Sequence, residues 1–208
     1  MSMKRETGQK TKRKSIGQSI VEFTILLPLL LILISGLVEF GFMLNQYLDL
    51  SDAAREAARF AADDDPIRDE TGTYVGFNSA YYTRAQTVAL DSIEIGSNGQ
   101  VELDVVSDDV VISNFAVIDG LVIVRFPTGW GENGIALYNN HVSKFSSADV
   151  NSLLDPSAPN AGLVLVEIYY DYHMLLALPW ITPFVPNPVT LHAYSFMPNA
   201  NVEPTPTP

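Results

Sequence analysis

The sequence predicts an α+β fold, with a long N-terminal helix followed by a mainly antiparallel β-sheet head. Three observations carry this expectation. Phe23 to Val38 is an uncharged, largely apolar run between Glu22 and Glu39. Polar residues then recur in steps of three and four from Asn45 to Asp63, the period of a helix with one solvated face. Beyond residue 100 the apolar period becomes two, and Asp119-Gly120 separates two apolar runs, the strongest short signal for a hairpin.

Composition narrows the function classes. Residues 1 to 16 carry six of the twelve Lys and Arg residues (Lys4, Arg5, Lys10, Lys12, Arg13, Lys14) against one Glu6, so a leader of about +5 precedes a remainder of about −17. Such acidity argues against a nucleic-acid partner, because phosphate neutralisation needs clustered cations. The chain has no cysteine, which excludes disulfides, thiolate catalysis and Cys-ligated metals.

A span drawn from Ile20 to Phe42 has its two glutamates near its ends and is long enough to cross a ~30 Å hydrocarbon core. The cationic leader places the N-terminus in the cytoplasm and the head outside. A cleaved secretory signal is the weaker reading, since its apolar region is shorter and ends at a small-residue site. Here helix-forming sequence follows instead.

Glu22 needs an explanation, because a carboxylate beside an apolar run is costly unless it is paired or near headgroups. Ser19-Ile-Val-Glu22 fits a capping box at a helix start. Gly17, five residues before Glu22 and preceded by the basic leader, supports a second reading as a prepilin processing site. Gly17, Glu22, Phe23 and Pro28, then Glu39-Phe40-Gly41, then Ala53-Ala54-Arg55-Glu56-Ala57-Ala58-Arg59-Phe60-Ala61-Ala62 together resemble TadE-like proteins, minor pilins or pseudopilins of the tight-adherence type IV pilus systems. The strand pair near the C-terminus is similar to the end of that family as well.

The resemblance implies a pilin-like fold and cleavage between Gly17 and Gln18 by a prepilin peptidase. It implies as partners the membrane, other pilins or pseudopilins and the pilus assembly platform. It also implies that Glu22 pairs with the new N-terminal amine of a neighbouring subunit, and that Phe23, Pro28, Glu39, Phe40, Arg55, Glu56 and Arg59 form the helix motif. The implied location is the cytoplasmic (inner) membrane, single-pass, or a surface pilus. The alternative is an unprocessed envelope protein whose head binds a surface ligand through the Gly129-Trp130-Gly131 or Trp180 loops.

Pro28 removes a helical amide and favours a kink. The extension from Asn45 sets Asn45, Asp49, Asp52, Glu56, Arg59 and Asp63 against Tyr47, Leu50, Ala54, Ala57, Ala58 and Ala61. That small-residue face packs either on its own head or on another subunit, and Asp52 with Arg55 and Glu56 with Arg59 are placed for local ion pairs. Asp63-Asp64-Asp65-Pro66 ends the helix, leaving a solvated acidic loop that lacks the ligand alternation of an EF-hand.

The organisation expected is a leader at 1–17, the helix at 18–62, a head at 63–198 and a disordered Pro/Thr tail at 199–208. In the head, residues 80–90 read as a helix, and 101–105, 114–118, 121–126, 164–172 and 189–196 as strands, with Asn98-Gly99 marking an earlier hairpin. Residues 127–159 read as a surface excursion with a short helix at 147–154 capped by Ser146 or Ser147. Residues 177–188 form an apolar, proline-rich connection that lies against the membrane, a partner or, the preferred reading, the protein itself.

His141, His173 and His192 are scattered, and no nucleophile elbow, phosphate loop or zinc motif occurs. The expectation is a structural protein with no catalytic residues, no metal and no cofactor.

Overall fold

A computed structural model describes residues 16–157 and 159–204, with side chains from Ser19 onward. The leader before residue 16 and the tail beyond residue 204 lie outside the described residues. Helix α1 spans Ile16–Ala62, 47 residues with Pro28 inside it, about 70 Å at 1.5 Å per residue. It is continuous through Pro28.

The alanine-rich half of α1 forms its head contacts. Leu50, Ala53, Ala54, Ala57, Ala58 and Ala61 are buried in one core with residues of the second helix and the sheet. Of the two packings the sequence allowed, this face packs on its own head. Tyr47 departs from the expectation and stays exposed. The opposite stripe is solvated as predicted, with Arg55 to Asp52 at 2.8 Å and a second ion pair between Arg59 and Glu56.

Helix α2, Ser79–Gly96, is longer at its C-terminal end than expected. Asn78 caps it, accepting from the Tyr81 amide, while its Nδ2 donates to the carbonyls of Asp65 and Arg68 just past α1. Asn98-Gly99 is not a hairpin. Asn98 has φ 52°, and the Gly99 amide donates to the Glu94 carbonyl at 2.9 Å, closing the helix end. Nor do residues 101–105 form a strand, because their backbone pairs with no ladder. The alternation was still meaningful: Val101 and Leu103 are buried while Val105 is exposed.

The sheet comprises β1 (Asp109–Ile118), β2 (Leu121–Phe126), β3 (Ile135–Ala136), β4 (Ala161–Tyr172) and β5 (Val189–Pro198). All pairings are antiparallel, in the order β2-β1-β4-β5, with β3 also on β1. The β1–β2 turn is the expected one, with Asp119 at φ 49° and Gly120 at φ 72°, the two left-handed positions of a type I′ turn. β1 begins earlier than expected because Asp109 to Ser113 continue as a buried strand between β4 and β3. Along β4 the parity holds: Val166, Ile168 and Tyr172 join the core facing α1 and α2, and Leu165 and Glu167 face the other side.

That second face is covered, which corrects the reading of 127–159 as a surface excursion. Helix α3, Ser147–Leu153, is capped by a reciprocal Ser146–Asp149 box, and Val150 packs with Phe115 and Leu165 under Phe145 and Leu154. Arg125 ties the cover down, donating to Glu132 at 2.8 Å, the Phe145 carbonyl at 2.7 Å and Ser113 at 2.7 Å. Such a charge is tolerated out of water only when paired and hydrogen-bonded.

The ordered head also runs past 198, where a disordered tail was expected. A 3-10 turn spans Ala200–Val202. Asn199, fully buried, donates through Nδ2 to the Ala61 carbonyl at 3.0 Å and the Asp64 carbonyl at 3.2 Å. The Ala61 carbonyl belongs to the last turn of α1, whose carbonyls lack helical partners, and Asp64 lies just past it. Gly162 permits this approach, since a Cβ there would stand 1.9 Å from the Asn199 oxygen.

Candidate functional site along the long helix

From Ser19 to Ile34 α1 stands clear of the head. Its most apolar stretch has none of its residues buried, and it is long and apolar enough to cross a membrane. Phe23, Leu33 and Leu37 are more than half exposed, and Glu22 is exposed on the same helix. Gly17 lies within α1, and neither its surroundings nor the Gln18 side chain belongs to the described residues. One expectation is corrected here: Ser19 is not a cap. The chain is already helical from Ile16, so Ser19 and Glu22 sit inside the helix and a capping box does not account for Glu22.

Glu39 is the residue the sequence singled out without explaining. It is only 6 % exposed, on a helix whose neighbours Leu37 and Phe40 are open. Its Oε1 accepts from the Tyr172 hydroxyl at 2.5 Å and from the Leu175 amide at 2.8 Å, and its Oε2 from the Leu176 amide at 2.8 Å. The carboxylate thus holds the end of β4 and the start of the following connection against α1. Burial, and after it the Glu39 carboxylate, pushes the Tyr172 phenol well above its usual range, so it remains a donor.

The connection then runs alongside the helix. The Trp180 indole N–H donates to Ser35 Oγ at 3.0 Å, and an apolar cleft of about 180 Å³ lies between Gly36, Met43, Met174 and Ile181. Packing on the protein itself, the preferred reading of this connection, is therefore observed. Its outer side chains nevertheless remain exposed.

The remaining motif residues separate by role. Arg55, Glu56 and Arg59 are exposed and are engaged on their own helix. The alanines between them make the head contact. The motif therefore unites a bare segment (Phe23, Pro28), a clasp (Glu39) and a head-docking face whose outward side is charged.

Sequence reasoning missed further buried carboxylates, among them Asp109 and Glu167. Asp109 accepts from the amides of Tyr138, Asn140 and His141 at 2.8–2.9 Å. Glu167 accepts from Ser143 Oγ, the Lys144 amide and Tyr169 Oη, and lies 3.0 Å from His192 Nε2. Each pins part of the 137–145 loop to the sheet. The signal at Glu167 was an acidic residue flanked by apolar ones within a strand, whereas Asp109, the first residue of β1, gave none. His141 and His192 each stack on Tyr169, so two of the three scattered histidines share one aromatic partner, while His173 is exposed just after β4. Among the described residues no group of three or more His, Asp or Glu converges as a metal site. In the acidic loop Asp64 bonds Arg84 at 2.6 Å, and Asp65 bonds Arg68 and local amides.

Residues 17–59 match the family model described as TadE-like protein. The match covers α1 almost to its end and does not reach the head. No curated protein and no solved structure gives a match.

Proposed function

We propose that this chain, TadE-like over residues 17–59, is a Tad pilus-associated protein that acts as a processed minor pilin or pseudopilin. A prepilin peptidase cuts between Gly17 and Gln18, the bare half of α1 spans the inner membrane with the head outside, and helix-helix association there primes or assembles the pilus. The role is structural, without catalysis.

One observation carries this reading. The small-residue face of α1 is spent on its own head, while every residue from Ser19 to Ile34 is exposed. On this reading association runs through the span, which one unbroken helix joins to the head. Glu22 lies in that segment, and on this reading it pairs with a neighbour's new N-terminal amine in a low dielectric.

The test is cysteine cross-linking in native membranes, for which the cysteine-free chain is suited. Leu33→Cys should cross-link to pilin-class subunits, whereas Arg55→Cys on the outward face of the extension should not. Cross-linking of Arg55→Cys alone would contradict the assignment.

A further inference from the structure

We propose that the connection between β4 and β5 is a second membrane element, seated in the outer interface of the bilayer beside α1. This rests on α1 being a span and is independent of processing.

Three features of the connection point to lipid. The first is its level. Trp180 bonds Ser35, which lies four residues to the membrane side of Glu39, about 6 Å along the helix. A span of about 20 residues beginning at Ile20 ends at Glu39, so Ser35 lies within it. The connection is therefore at a depth where a span of that length is still in lipid.

The second is its chemistry. From Met174 to Pro188 there is no charged residue. Leu175, Leu176, Trp180, Phe184 and Val185 are all exposed, Phe184 at 85 %. This apolar surface is continuous with the exposed Phe40 of α1, which lines one cleft with Val185. Indole rings concentrate at the membrane interface.

The third is the backbone. Irregular chain is costly at membrane depth unless its polar groups are satisfied. Pro179, Pro183, Pro186 and Pro188 have no amide to satisfy. Leu175 and Leu176 donate to Glu39, Met174 to Asn187 Oδ1, Ile181 and Thr182 to the Leu178 carbonyl, and Phe184 to the Ile181 carbonyl. Six amides thus have acceptors, two of them the Glu39 carboxylate oxygens of the span, while those of Ala177, Leu178, Trp180, Val185 and Asn187 have none among the described residues, which suits the hydrated interface and not the hydrocarbon core.

The two tryptophans give the experiment. Trp130 packs on Phe77 at the far end of the head, next to Asn78, which bonds residues just past α1. The full chain is reconstituted as Trp130→Phe and as Trp180→Phe in phosphatidylcholine vesicles containing chain-brominated lipid. Trp180 should be quenched by shallow-brominated lipid several-fold more than Trp130, and should be shielded from aqueous iodide. Iodide quenching of Trp180 without bromolipid quenching would overturn the proposal in favour of a solvated loop. Shielding from both quenchers would overturn it in favour of a protein surface.

Discussion

The Tyr172 hydroxyl donates to the Glu39 carboxylate across a sequence separation of 133 residues, joining the last residue of a head strand to the middle of an apolar helix. With the Leu175 and Leu176 amides on the same carboxylate, Glu39 fixes where the head sits along α1. Glu39→Ala leaves all three donors unpaired and should cost about 3 kcal/mol, as breaking a buried charged network does. Tyr172→Phe should cost about 1–2 kcal/mol. The double variant should lose less than the sum, by about 0.5–3 kcal/mol. Thermal unfolding in detergent, with proteolysis of the 175–188 connection as a local readout, checks this, and strict additivity would count against the clasp.

The alanine face makes a second prediction. Ala57 and Ala58 are fully buried between α1 and the head, so Ala57→Leu should overpack the contact and lower head stability by about 1–3 kcal/mol. Arg55→Gln, on the exposed side, should leave it unchanged within measurement. Equal effects on unfolding would show that this face is not the head contact.

Asn199 provides a third. Asn199→Ala removes the donors to the Ala61 and Asp64 carbonyls and the acceptor for the Asn201 amide, and should destabilise the head by about 1–3 kcal/mol. Chain deletion restricted to residues 205–208 should not. Hydrogen exchange at the last turn of α1 distinguishes the two, rising only in Asn199→Ala.

Burial pushes the Tyr81 and Tyr82 phenols far above their usual range. Below the unfolded-state value of ~10 both states keep the proton and pH has no effect through these groups. Above it the unfolded chain releases protons that the folded head retains, so stability falls as pH rises. Absorbance of the phenolates should therefore include a cooperative component that coincides with loss of head structure. Titration of every tyrosine near pH 10 with the fold intact would contradict this burial.

Much of the fold was legible where a local pattern and its tertiary use coincide. The helical stripe from Asn45, the Asp119-Gly120 turn and the parity of β4 each encode their own partner face. Legibility failed where distant contacts decide. Val101 and Leu103 alternate as a strand would, yet they are buried by α2 and the core without a ladder. Asn98-Gly99 reads equally as hairpin or helix end, and the preceding turn of α2 settles it. Asn199 looked like the start of a polar tail because the carbonyls it caps belong to residues more than a hundred positions earlier.

The candidate site divides in the same way. Apolarity and the Glu39 position were visible, whereas the donors that explain Glu39 come from Tyr172, Leu175 and Leu176. Ser19 and Glu22 show the converse, a local motif overridden by a helix that already runs from Ile16.

Under the proposed function α1 is a prepilin helix released by cleavage after Gly17. Intact-mass and N-terminal sequencing of the chain recovered from its native membrane test it directly. Gln18 as the first residue, lost in a Gly17→Leu variant, is the predicted result. A mature chain that retains residues 1–17 would contradict it.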